Sequence, residues 1–272
     1  MASRYESRFA NLKKDGRHGF IPYTMLGYPN AELSFQSIKA MIDSGATALE
    51  LGLAFSDPLA DGPVIQEAAA RTIESGFKMK NAFEIISKAR KLDADIPITV
   101  MCYFNSVLAL GMEKFCQTAA EAGVDALLIV DLPPEQSFEL GKHCATHKLQ
   151  QVFIISPLTT AERMAIIAEQ AGGFLYAVSR LGTTGTEERY DENLAQLIQR
   201  AGKQCKLPVA VGFGVSNPEQ AKKMYDLGAD AVITGSRIIE LISEIRNGKS
   251  TIEQFSSYIK EMVAAGTSAK VK

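Results

Sequence analysis

Eight short apolar runs recur along the chain, each followed by a longer amphipathic one, and this alternation limits the possible folds more than any other feature. The runs are 19–26 (GFIPYTML), 46–52 (ATALELG), 96–102 (IPITVMC), 125–131 (DALLIVD), 151–156 (QVFIIS), 173–179 (GFLYAVS), 208–212 (PVAVG) and 230–235 (DAVITG). Short, almost wholly apolar runs of this kind are parallel strands covered on both faces. Between them lie helices: SFQSIKAMIDSG sets Phe35, Ile38, Met41 and Ile42 on one side. Each helix is expected to end in glycine. SGATALEL, AGVDALLI and LGADAVIT pass from such a glycine into the second, fourth and eighth strands, and AGGFLYAV echoes them at the sixth. Pro97 and Pro208 open the third and seventh strands, where a missing N–H is tolerated. Repeated βα units with similar joints predict an α/β protein. Its sheet should be a closed (β/α)8 barrel of the TIM type with extra helices rather than an open doubly wound sheet.

Barrels of this kind routinely reach roughly 250 residues as one unit. No Pro/Ser/Gly-rich or charge-block linker divides the 272 residues, so residues 1–272 are expected to form one domain. The 29 basic and 31 acidic side chains nearly balance, which gives no field to recruit nucleic acid or an anionic membrane. The charged N-terminus resembles no secretory signal and no apolar stretch is long enough to span a bilayer, so a cytoplasmic location is expected. Cys102, Cys116, Cys144 and Cys205 lack metal or redox spacing and read as free thiols.

In a barrel, function gathers on the loops that follow the strands. After the seventh strand come Gly212, Phe213 and Gly214; after the eighth, Gly235 and Ser236 open a helix. Glycines let backbone N–H groups approach an anion, and a helix N-terminus adds partial positive charge, so these two loops are expected to bind phosphate. The polar segment SRLGTTGTEERY after the sixth strand, with Gly182 and Gly185, suits a flap that adds a third amide donor.

Glu50 interrupts an apolar strand. If Leu49 and Leu51 face the helices, alternation turns Glu50 into the barrel, where a desolvated carboxyl has a raised pKa and suits acid–base work near neutrality. The next loop, LAFSDPLADGPVIQ, carries Asp57, which reads as a turn residue before Pro58, and Asp61. Spacing alone leaves Asp61 either as a second catalytic carboxylate or as the cap of the helix after Pro63. No lysine ends a strand, which removes a Schiff-base mechanism. His18 lies near the N-terminus, and His143 and His147 share a helix surface without a third metal ligand. Acid–base chemistry without a metal or covalent intermediate remains.

ELGLAFSDPLADGPVIQ, SRLGTTG, VGFGVSNPEQ and ITGSRII, together with RYESRF and GFIPYTMLGYP, resemble the tryptophan synthase α subunit family over nearly the whole chain. The resemblance implies a lyase of aromatic amino-acid biosynthesis. Its reaction is the retro-aldol cleavage of indole-3-glycerol phosphate into indole and glyceraldehyde 3-phosphate. It implies that Glu50 protonates indole C3 and accepts the glycerol hydroxyl proton, while Asp61 accepts a hydrogen bond from indole N1–H. Gly185, Gly214, Gly235 and Ser236 would hold the phosphate, and Tyr23, Met101, Leu128, Ile154, Tyr176, Thr184 and Phe213 would border the ligand or orient the catalytic groups. Tyr23 and Met101 stand where the family commonly has phenylalanine and leucine, and Thr183 replaces the valine of a GVTG flap. A β subunit in an αββα assembly would receive the indole and carry the pyridoxal phosphate, with no cofactor in this chain. A lyase acting without a β subunit, or another phosphate-binding isomerase barrel, is the alternative.

Overall fold

The computed structural model describes residues 2–178, 187–212 and 214–268. Eight parallel strands close into a barrel in sequence order: β1 (Gly19–Met25), β2 (Leu49–Gly52), β3 (Ile98–Cys102), β4 (Ala126–Ile129), β5 (Gln150–Ile155), β6 (Ala171–Val178), β7 (Val209–Gly212) and β8 (Ala231–Thr234). β1 pairs with both β2 and β8, so the sheet has no free edge. Each apolar run named above contains or overlaps one strand. The ladders are shorter than most runs because residues such as Ala46 and Ala48 are buried in the approach to β2 without joining it.

Registered residues of parallel neighbours face the same side, which separates two layers. Tyr23, Glu50 and Thr99 are in register across β1, β2 and β3; Gly52, Met101, Leu128 and Val152 continue one layer nearer the strand ends. These side chains face the lumen. Leu49, Leu51, Ile98 and Val100 alternate with them, are buried, and pack toward the helices.

An extra helix, Arg4–Lys14, begins with a capping box between Ser3 and Glu6 and buries Tyr5, Phe9 and Leu12. It closes the bottom of the barrel. The Tyr5 hydroxyl lies 2.5 Å from Thr99 Oγ1, and its ring is 5.5 Å from that of Phe174. Arg4 and Arg90 both bind Asp125 at 2.7 Å, and Asp125 also accepts the Ile98 N–H at 2.8 Å, joining this helix to the starts of β3 and β4.

The expectation that every helix ends in glycine is corrected. Gly45, Gly123 and Gly228 do adopt positive φ at the repeated joints, at 89°, 94° and 102°. Lys148 and Lys206 take that position after the helices Phe138–Thr146 and Glu187–Cys205, at φ 59° and 55°. A left-handed residue with a Cβ costs about 1–2 kcal/mol, and both lysines are exposed, so their side chains meet no packing conflict there. The sixth joint also differs, since helix Ala161–Gln170 runs directly into β6. The β5–β6 register shifts beside it, between Gln151 and Phe153.

Candidate active site

Glu50 is 1% exposed in a four-residue strand, and its Oε2 has no hydrogen-bonding partner among the described residues. Burial first, and the negative charge of Asp61 second, push its carboxyl up to about 8. Glu50 is in register with Tyr23 and Thr99, and the Tyr23 hydroxyl lies over Gly52, two residues along on the same face of β2. The inward orientation expected from alternation is therefore present.

Asp61 stands in the loop between β2 and helix Pro63–Glu74. That helix starts from Gly62 with no side-chain cap, so the capping alternative fails. The carboxylate instead accepts a hydrogen bond from the Tyr103 hydroxyl at 3.0 Å, and that hydroxyl accepts the Ala60 N–H at 2.9 Å. Phe55 stacks on Tyr103 with ring centroids 4.9 Å apart. Burial raises the pKa of Asp61, and the tyrosine bond opposes the rise. Tyr103 thus holds the acidic loop against the end of β3. It was missed in the sequence reading; its only signal is its place directly after the third strand.

Tyr23, Met101, Leu128, Ile154 and Tyr176 all lie on the inward register set, linked by the pairs Tyr23–Glu50, Met101–Leu128 and Ile154–Tyr176. Gly52 and Gly212 make room for two of them. A Cβ on Gly52 would stand 2.2 Å from the Tyr23 hydroxyl, and one on Gly212 would stand 2.1 Å from that of Tyr176. Both glycines therefore serve tyrosines on neighbouring strands, a role that spacing did not reveal. Gly214 has φ 77°, and Gly235 precedes helix Ser236–Arg246 without a side-chain cap. Thr234 Oγ1 donates to Val215 O at 2.9 Å, tying the two glycine loops together. Ser236 is exposed at the first helical position. Thr184, Gly185 and Phe213, with Gly182 and Thr183, lie outside the described residues.

The residues set aside on sequence grounds occupy other places. Asp57 is exposed in a turn, accepting from Ser56. Cys102 is buried, and burial pushes its thiol pKa up, which does not suit a nucleophile. His18 Nδ1 meets Ala229 O and its ring stacks on Tyr225 near the barrel bottom. His143 and His147 are not free surface groups: both are half-buried and contact Glu113, at 2.6 and 2.7 Å. No three metal-ligating side chains among the described residues form a metal-holding group.

A family model described as "Tryptophan synthase alpha chain" matches residues 9–267. The chain is 40% identical over 259 residues to the tryptophan synthase alpha chain of Methanosarcina barkeri, covering 95% of each. It is 39% identical over 266 residues to that of Francisella tularensis, covering 97% of this chain and 99% of the relative. Among solved structures, the tryptophan synthase subunit alpha of Legionella pneumophila superposes with a TM-score of 0.89 at 33% identity, over 97% and 98% of the two chains. A chain of the tryptophan synthase complex from Pyrococcus furiosus gives 0.81 at 32% identity, over 92% and 99%.

Proposed function

The chain belongs to the tryptophan synthase alpha chain family of lyases, and from that premise we propose that Glu50 and Asp61 carry the cleavage of indole-3-glycerol phosphate into indole and glyceraldehyde 3-phosphate. The buried Glu50 carboxyl, with its pKa near 8, carries the reading. At neutral pH it is largely protonated, so it can donate to indole C3. As a carboxylate it then takes the proton of the C1′ hydroxyl while the bond between C1′ and the ring breaks and C1′ becomes the aldehyde carbon. One proton moves from oxygen to carbon, and no electrons are gained or lost overall. Asp61, held by Tyr103, accepts the indole N1–H and stabilises the positive charge of the C3-protonated ring.

In this reading Gly185, the amides of Gly214 and Gly235 and the hydroxyl of Ser236 bind the phosphate, while Thr184 and Phe213 border the ligand. Met101, Leu128, Ile154 and Tyr176 border the indole and the side chain. The continuous buried core supports one domain over residues 1–272. A cytoplasmic location is part of the same proposal; no helix of the described residues is long and apolar enough to cross a membrane.

A β subunit is the proposed partner, in an αββα assembly, and it would hold the pyridoxal phosphate while this chain works without a cofactor. Leu59 after β2 and Leu158 after β5 are 92% and 77% exposed, with Leu108 and Phe138 also exposed after β3 and β4. Exposed apolar side chains on segments that follow the strands suit a protein contact. Glu50→Gln and Asp61→Asn should each abolish indole release from indole-3-glycerol phosphate. Retained turnover in either would sink the assignment.

A further inference from the structure

Tyr23 carries a hydroxyl that the proposed chemistry leaves unused. The side chain is 2% exposed, yet its Oη finds no hydrogen-bonding partner among the described residues. An unpaired buried hydroxyl is destabilising, and phenylalanine would fill the same space without it. The ring reaches toward both strands that flank β1. Cδ1 lies 3.3 Å from the place of a Cβ on Gly235, at the end of β8, while Oη lies 2.2 Å from that of a Cβ on Gly52. Gly52 stands two residues after Glu50 on the same inward face, so the hydroxyl sits one layer above Glu50, toward the loop that carries Asp61. After burial, the charges of Asp61 and Glu50 are the leading causes that raise its pKa, which keeps it a neutral O–H able to donate and accept.

The substrate offers a matching group. Outside the phosphate, indole-3-glycerol phosphate has three polar groups: the indole N–H, the C1′ hydroxyl and the C2′ hydroxyl. Asp61 takes the first and Glu50 the second. C2′ connects the reacting carbon to the phosphate-bearing carbon, and the Tyr23 ring lies along the same span, between the Gly235 loop and the carboxylates.

We propose that the Tyr23 hydroxyl hydrogen-bonds the C2′ hydroxyl of the substrate and makes the enzyme discriminate hydroxylated from deoxygenated side chains; this rests on the assignment of Glu50 and Asp61 above. The test is a cycle between enzyme and substrate: kcat/KM for indole release by wild type and Tyr23→Phe, each with indole-3-glycerol phosphate and its 2′-deoxy analogue. Wild type should lose about tenfold on the deoxy substrate, and Tyr23→Phe about tenfold on the full substrate, the size of one hydrogen bond. The variant should lose nothing further when both groups are gone. Its binding of 3-(indol-3-yl)propyl phosphate, which lacks both hydroxyls, should equal that of wild type, and its melting temperature should match or exceed it. Losses that multiply independently, an unaffected variant, or weakened binding of the propyl phosphate would each overturn the proposal. A wild type that cleaves neither substrate would instead overturn the cleavage reading beneath it.

Discussion

Replacing Glu50 by glutamine should make the protein more stable at alkaline pH, by an amount that follows from its burial. The folded chain holds the Glu50 proton up to about pH 8, whereas the ordinary value is 4.5. A raised folded pKa contributes stability that is complete below pH 4.5 and is lost as pH rises to 8, because over that window the unfolded chain has already released the proton. With 1.36 kcal/mol per pH unit, the linked loss is about 1 kcal/mol at pH 5 and about 4 kcal/mol at pH 8. Glutamine has nearly the same shape and no titration, so its stability should lack this slope. Urea unfolding of wild type and Glu50→Gln at pH 5 and pH 8 should show the difference between the two proteins shifting by roughly 3 kcal/mol in favour of glutamine. Curves that stay parallel to within about 1 kcal/mol would refute the desolvated carboxyl, and with it the acid proposed for the reaction. The same titration appears in turnover: kcat should fall above pH 8 as the proton donor is lost.

Tyr103→Phe removes the donor to Asp61 and the acceptor for the Ala60 N–H. The indole-release assay should record a fall in kcat/KM of about ten- to a hundredfold, the worth of a hydrogen bond to a charged group; an unchanged value would show that Asp61 needs no such support. Gly52→Ala would drive a Cβ into the Tyr23 hydroxyl and ring. Thermal unfolding should register a loss of about 1–3 kcal/mol, and the double variant with Tyr23→Phe should recover part of it because the closest atom is then gone. Leu59→Asp together with Leu158→Asp should leave the melting temperature of the isolated chain nearly unchanged, since both side chains are exposed. Titration with a β subunit should show at least tenfold weaker binding; equal affinity would place the contact elsewhere.

Periodicity encodes the local part of this structure, and that part was legible along the chain. Alternation within one strand is enough to turn Glu50 away from Leu49 and Leu51, and the recurrence of glycine before a strand marks the joints at Gly45, Gly123 and Gly228. A helix end looks the same to the chain whether glycine or an exposed lysine supplies the left-handed residue, which is why Lys148 and Lys206 gave no signal.

The choice between helix cap and ligand group for Asp61 lay beyond spacing, because it depends on Tyr103, which is 42 residues away and reaches the loop only when β2 and β3 lie side by side. The purposes of Gly52 and Gly212 were hidden for the same reason: each accommodates a tyrosine from another strand. Closure likewise brings β8 beside β1, so that Tyr23 lies between Gly235 and Gly52. Which residues turn inward follows from a backbone repeat of two and can be read along the chain. Which inward groups meet depends on barrel closure, because closure joins strands that are far apart in the sequence.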